Sequence, residues 1–261
     1  MGQFGIILIN EEASPYKKNT YNDSLEQDYI FYQGEKSLSG KAPLLLAVSG
    51  GPDSVMLLDY FARNAKKRKL RLVIAHVNHN LRGKASDADA RFTERLGKAY
   101  GIETEILSAN VKEIAEKEGG GIESAARKAR YALLLKTALE KKCAFIVTAH
   151  HSDDNAETIL LNMLRGTDPK GLAGIPVSRT LYRSGRKTVR LIRPLLSVSR
   201  KEIEQYLILN GLKSRKDHTN DDDRYTRNWI RTRLLPLLEK KQPRIREHLV
   251  MLSEGMTELF K

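Results

Sequence analysis

Six consecutive residues, Ser49-Gly50-Gly51-Pro52-Asp53-Ser54, hold the densest chemical signal in the chain. They follow the apolar run Leu44-Leu45-Leu46-Ala47-Val48 and precede a stretch carrying Val55, Leu57, Leu58 and Phe61 at helical spacing. A strand that ends in a glycine- and serine-rich loop and opens into a helix presents backbone N–H groups and a positive dipole end to an anion. The loop is not of the Walker A type, because the lysine that should follow its last glycine is absent and an aspartate stands in the turn. A carboxylate among phosphates needs a cation between them, and Mg²⁺ bridges carboxylate and phosphate oxygens, so Asp53 is the first metal candidate. The competing reading is a tight Gly-Gly-Pro turn in which Asp53 or Ser54 merely caps a helix.

A second cluster follows another apolar run, Ala144 to Thr148. It places His150 at a carboxyl end of a sheet, where ligands bind in open α/β folds. Asp153, Asp154 and Glu157 then open a helix, with Asp154 and Glu157 three apart on one face. Their charge also suits a helix N-terminus, so capping is the simpler account.

Short apolar runs alternate with longer amphipathic stretches from residue 41 onward, which predicts an α/β fold with a five-stranded parallel sheet flanked by helices. Strands are expected at Leu44–Val48, Leu72–Val77, Glu103–Leu107, Ala144–Thr148 and Leu191–Leu196, and helices at Ser54–Arg68, Ser86–Tyr100, Glu123–Lys141 and Ser199–Asn210. Residues 166–190 break the rhythm with repeated Gly and Pro and read as a long loop or hairpin. Residues 1–40 read as an N-terminal extension, 41–238 as the catalytic domain, and 239–261 as a C-terminal helix with Ile245, Leu249, Leu252, Met256 and Leu259 in one stripe. That stripe needs a partner, either the catalytic domain or a second copy in a homodimer.

The net charge is +13, although Glu11, Glu12, Asp23, Glu26, Asp28 and Glu35 outnumber the three lysines of the first forty residues. The remainder therefore carries +13 − (−3) = +16. Such basicity argues for a polyanionic partner, since neutralised phosphates release condensed counterions. No apolar run approaches the roughly 20 residues of a membrane span. One cysteine, Cys143, permits neither an internal disulfide nor an all-thiolate metal site, which fits a cytoplasmic protein.

The stretch SGGPDSV after LLLAV resembles the pyrophosphatase loop of the PP-loop ATPases, which cleave ATP to AMP and pyrophosphate. The segments His76–Gly83, Glu123–Tyr131, Ala149–Thr158, Leu164–Thr167, Gly171–Ile175, Arg193–Leu196 and Asp217–Arg231, in that order, are similar to one branch, the tRNA(Ile)-lysidine synthetase family, over residues 41–238. The resemblance implies that ATP adenylates C2 of the wobble cytidine in the CAU anticodon of tRNA(Ile) and that free L-lysine then displaces AMP, giving lysidine.

It also distributes roles. Ser49, Gly50, Gly51, Pro52, Asp53, Ser54 and His76 would bind ATP, and Asp53 and Asp153 would hold Mg²⁺. Catalysis would rest on Asp53, Arg127, His150 and Asp154, with Arg127 opposite the leaving pyrophosphate. Three carboxylates beside phosphates require a cation, and Asp154 and Glu157 are assigned to the lysine ammonium. His79, Arg82, Arg165, Arg193, Arg227 and Arg231 would contact tRNA.

Members of this family usually carry helical and tRNA-binding domains after the catalytic one, so the resemblance implies a short form in which residues 239–261 are the first helix of that appendage. Three alternatives share the loop or the fold: an NAD-synthetase-like amide ligase, a tRNA thiolase, and an RNA-binding module without catalysis. Thiolases of the superfamily generally use several cysteines, and an amide ligase has no need of the basicity.

Overall fold

The computed structural model describes residues 42–81, 83–118, 121–215 and 226–260. Strands β1 (Leu44–Ala47), β2 (Leu72–Asn78), β3 (Glu103–Ser108), β4 (Phe145–Val147), β5 (Ser178–Ser184) and β6 (Lys187–Ile192) form one sheet in the order β3-β2-β1-β4-β6-β5. The first helices are α1 (Pro52–Ala65), α2 (Lys84–Tyr100), α3 (Val111–Glu118), α4 (Gly121–Glu140), α5 (Ser152–Leu164) and α6 (Arg200–Leu209).

Alternation along β1 shows why the sheet is covered on both faces. Leu44 and Leu46 enter one core with Val55, Leu58 and Phe61 of α1 and Ile203 of α6, while Leu45 enters another with Leu134 and Ala138 of α4. The chain builds outward from β1 through β2 to β3, then returns to place β4 on the other side of β1. The gap beyond the carboxyl ends of β1 and β4 is thus the point where the winding reverses, the usual ligand position in such sheets.

The expected five parallel strands become six. β1, β2, β3, β4 and β6 are parallel, and β5 runs antiparallel to β6 at the edge. Gly185, with φ +54°, closes the β5–β6 hairpin between Ser184 and Lys187. The last parallel strand is displaced from the expected Leu191–Leu196 to Lys187–Ile192, because Pro194 has no N–H to give a ladder. Leu195 and Leu196 are buried beyond the strand end rather than within it.

The C-terminal region folds as α7 (Thr226–Trp229), a π-helical segment Ile230–Leu234, α8 (Leu235–Lys241) and α9 (Ile245–Leu259). Ile245 and Leu249 of α9 pack on a cluster containing Ala156, Ile159 and Leu160 of α5, while Leu252 and Leu259 of the same stripe remain exposed. Arg246 donates to Asp153 Oδ1 at 2.9 Å, and the stripe's partner within this chain is therefore α5. Asn155 is the polar centre of that contact. Its amide donates to Ser253 Oγ at 3.0 Å, and its carbonyl accepts from Ile175 N at 2.7 Å. Replacing Asn155 with Ala orphans the Ile175 N–H and leaves Ser253 Oγ only its 2.7 Å bond to the Ala173 carbonyl, and we expect a loss of roughly 1–3 kcal/mol in urea unfolding; an unchanged midpoint would show that α9 docks without help from Asn155.

Candidate active site

Above the β1/β4 crossover lies a cavity of about 910 Å³, within the range of small-molecule sites. Its floor is the loop after β1. Ser54 Oγ accepts from the N–H groups of Ser49 (3.2 Å) and Gly50 (3.1 Å) and donates to the Gly51 carbonyl (2.9 Å), closing the loop on itself. Gly50 has φ +91°, and a Cβ there would meet Phe92 at 3.3 Å, so the turn requires glycine. No side chain caps α1, which leaves the first-turn N–H groups of Asp53 and Ser54 to a ligand.

Of the residues expected at the site, Ser49, Gly51, Asp53, Ser54, His76, His79, Arg127, His150, Asp154, Arg227 and Arg231 line this one cavity. Gly50 and Pro52 belong to the loop without facing it. Arg82 lies outside the described residues, as does the segment 216–225. Arg165 ends α5 exposed to solvent, away from the cavity. Arg193 is buried behind it, with Nη1 donating to the Pro176 carbonyl.

Two of the carboxylates do not face the cavity. Asp153 accepts from the Arg200 backbone N–H at 2.8 Å and from Arg246, so both oxygens serve the packing of α5 against α6 and α9. Glu157 is 1% exposed and takes a fork of arginines. Arg227 Nε reaches it at 3.0 Å, and Arg231 Nε and Nη2 at 2.5 and 2.9 Å. Arg227 Nη2 also reaches Asp154 Oδ1 at 3.2 Å. Glu157 therefore holds two arginines at the cavity wall while Asp154 keeps a face on the cavity itself.

Asp53 carries its carboxylate 2.7 Å from Arg200 Nη1. Burial raises its pKa, and His151 and Arg200 only partly offset this. Burial also pushes Asp154 up, but His151, Arg227 and His150 outweigh it and hold the group below the ordinary carboxylate range. Among the described residues no group of three His, Cys, Asp or Glu side chains is arranged to hold a metal. Mg²⁺ at phosphate sites, however, is held by one or two carboxylates with the substrate supplying the rest, and Asp53, on the cavity beside the phosphate loop, fits that pattern where Asp153 does not.

The histidines divide by environment. His76 Nδ1 donates to the Val48 carbonyl at 2.9 Å, leaving Nε2 as an acceptor in the neutral ring, and burial lowers its pKa. Burial and the nearby Arg130 lower His79 to about 4. His150, 2.9 Å from Thr148 Oγ1, is lowered by burial and by Arg193, Arg130 and Arg227 against the pull of Asp154. His151 has the opposite surroundings. Its ring lies 3.9, 3.6 and 3.5 Å from Asp53, Asp153 and Asp154, and these carboxylates raise its pKa against burial.

Several participants escaped the reading of the sequence. Arg200 is placed at the first turn of α6 by the Ser199/Glu202 capping box, a local signal, but its partner Asp53 is 147 positions away and nothing local announces it. Arg130 lines the cavity one turn after Arg127 and was legible only as part of a motif. Arg215 reaches Asp89 at 2.7 Å and donates its backbone N–H to the Gly50 carbonyl. His151 was visible beside His150 without a role.

A family model described as the PP-loop domain matches residues 21–238. The chain is 38% identical over 228 residues to a tRNA(Ile)-lysidine synthase of Geobacillus kaustophilus, covering 87% of this chain and 48% of that protein. It is 41% identical over 207 residues to a tRNA(Ile)-lysidine synthase of Chlorobaculum tepidum, covering 79% and 60%. It spans about half the length of the curated relatives it matches. Among solved structures, a U34-tRNA thiolase, NcsA, from Methanococcus maripaludis aligns with a TM-score of 0.70 at 23% identity, covering 93% of this chain and 82% of that one, a likeness of fold. Among the described residues no helix is long and apolar enough to cross a membrane.

Two measurements test this geometry. Glu157→Gln removes the buried counter-charge of the fork and leaves Arg227 and Arg231 only the longer contacts to Asp154, at 3.2 and 3.7 Å, and we expect a loss of roughly 2–4 kcal/mol in urea unfolding, tempered because the arginines keep Asp154 and partial solvent access; an unchanged stability would mean that the fork is incidental. At pH 6.5, where an unperturbed histidine is half ionised, imidazole ¹⁵N shifts should show His151 mostly protonated and His150 neutral. By linkage, the contribution of His151 is full below that pH and fades as pH rises through its raised pKa, whereas that of neutral His150 is full above it and fades as pH falls. Two rings titrating together near 6.5 would contradict the environments described.

Proposed function

The chain belongs to the PP-loop family, and on that premise we propose that it is the catalytic part of a tRNA(Ile)-lysidine synthase. One observation carries the reading furthest: a single cavity joins a phosphate loop, neutral histidines, the carboxylates Asp53, Asp89, Glu123 and Asp154, and five arginines, namely Arg127, Arg130, Arg215, Arg227 and Arg231. The identity to the lysidine synthases supports it, and the substrates are carried over from those relatives.

In this reading the loop N–H groups of Asp53 and Ser54 hold the ATP phosphates, with His76 at the side of the nucleotide. Asp53 holds Mg²⁺, which when bound supplies positive charge to the phosphate oxygens. The oxygen on C2 of the wobble cytidine attacks the α-phosphorus, and the bond to pyrophosphate breaks. Arg127 and Arg130 lie where the departing charge can be met by guanidinium groups. The ε-amine of lysine then attacks C2, and AMP leaves with the C2–O bond electrons.

Asp154 is the fixed counter-charge for the lysine ammonium, and Glu157 contributes by orienting Arg227 and Arg231. Because His150 and Asp154 both sit below their ordinary pKa values, both are weak bases. Neutral His150 therefore serves as a hydrogen-bond partner for the pyrimidine, and the lysine proton departs to water. His79, Arg227 and Arg231 face the cavity where an extruded base would enter, Arg193 acts behind them, and Arg165 extends the tRNA contact outside it. The buried Cys143 has its pKa raised to about 11, chiefly by burial, so it offers no ready thiolate for a thiolation step.

The test is to incubate the protein with Mg²⁺, α-labelled ATP, lysine and a tRNA(Ile) transcript bearing CAU. We expect AMP release that requires both tRNA and lysine, lysidine at the wobble position, and a loss of about 100-fold or more in Asp53→Ala. AMP release with a different acceptor would favour an amide ligase, and tRNA binding without AMP release would favour a binding module.

A further inference from the structure

The edge of the sheet carries charge that the site above does not use. Residues 178–190, the β5–β6 hairpin, contain Arg179, Arg183, Arg186, Lys187 and Arg190 and no carboxylate. Arg183, Arg186 and Lys187 are exposed around the closing turn. Arg190 is engaged within the hairpin, with Nη2 donating to Ser178 Oγ at 2.8 Å.

Arg179 links this edge to the cavity. Its guanidinium lies 5.8 Å from the centre of the Tyr131 ring, which also receives Arg127 at 5.2 Å and Arg130 at 5.4 Å. Arg127 and Arg130 line the cavity, so cations run without interruption from the reacting site across Tyr131 to the hairpin. Among the described residues no carboxylate is within ion-pair distance of these three guanidinium groups. Gathering like charges around one aromatic ring costs Coulomb energy that stacking alone offsets only in part, and an anionic ligand removes the deficit.

We propose that the β5–β6 hairpin is a landing surface for the phosphodiester backbone of RNA, aligned so that the nucleotide next to the bound phosphates passes Tyr131 into the cavity. The inference rests on the reading of the chain as a tRNA-modifying enzyme and adds where the polymer lies. The bland alternative is edge protection, in which cations stop β5 from pairing with another chain. That function is met by one or two charges on the outward strand, whereas here cations occupy both faces of the hairpin and its turn, the distribution that suits a backbone crossing the edge.

The experiment compares the wild-type chain with the triple variant R183Q/R186Q/K187Q, whose positions lie outside the cavity and away from Tyr131. Binding of the tRNA(Ile) transcript is measured against salt concentration, alongside ATP binding, thermal unfolding and light scattering. We expect a weaker tRNA affinity by roughly 10-fold or more at 100 mM salt and a salt slope reduced by about two to three, one lost phosphate contact per cation. ATP affinity and unfolding should be unchanged, and R186Q alone should lower the slope by about one. An unchanged affinity and slope with increased scattering would overturn the proposal in favour of edge protection, and a wild-type chain that binds no RNA would overturn it outright. Hairpin-dependent tRNA binding with no lysine-dependent AMP release would sink the lysidine reading alone and leave this surface standing.

Discussion

The fork between Glu157 and two arginines is the interaction on which the rest of the site depends. A carboxylate that is 1% exposed is tolerated only when its charge is met and its oxygens are bonded, and Arg227 and Arg231 do both. The same contacts fasten the segment after residue 226 to α5 and keep two cations at the cavity wall. Because Arg227 also reaches Asp154, a single network sets the surroundings of a carboxylate on the cavity and the position of the chain beyond it.

Around that network the fold supplies direction rather than chemistry. The reversal of winding between β1 and β4 brings the phosphate loop and His150 to one end of the sheet. Two neighbouring histidines then acquire opposite tendencies from their surroundings: burial, with nearby arginines, makes His150 resist a proton, while three carboxylates overcome burial at His151 and attract one. His151 thereby offsets repulsion among Asp53, Asp153 and Asp154, which would otherwise crowd negative charge beside bound phosphates.

Much of this was legible in the sequence because it is local. The Ser49–Ser54 loop, the strand before it and the helix after it are specified by adjacent residues. So is the position of His150 after a strand. The antiparallel β5 was only half visible, as a possible hairpin, since the apolar Leu191–Leu196 run continues past the true end of the last strand and Gly185 is one of several Gly and Pro residues in that stretch. The side-chain roles that were misplaced are those set by distant partners. Nothing near Glu157 says that its oxygens will be taken by residues 70 and 74 positions later, nor near Asp153 that α6 and α9 will claim it. Acidic residues at a helix start read alike whether they face a substrate or a guanidinium group.

The π-helical segment Ile230–Leu234 adds a consequence of its own. Leu235 N–H bonds to the Ile230 carbonyl, five residues back, just before Pro236, which has no N–H with which to continue an ordinary turn. The segment thus stores one residue of slack between α7 and α8. Drawing that slack in would turn the preceding residues by about 100° relative to those that follow and carry the arginines off their shared carboxylate. A proline that does not line the cavity therefore fixes the angular phase of its wall, and inserting or deleting a residue between Arg227 and Pro236 would turn the arginines as surely as replacing them would remove them.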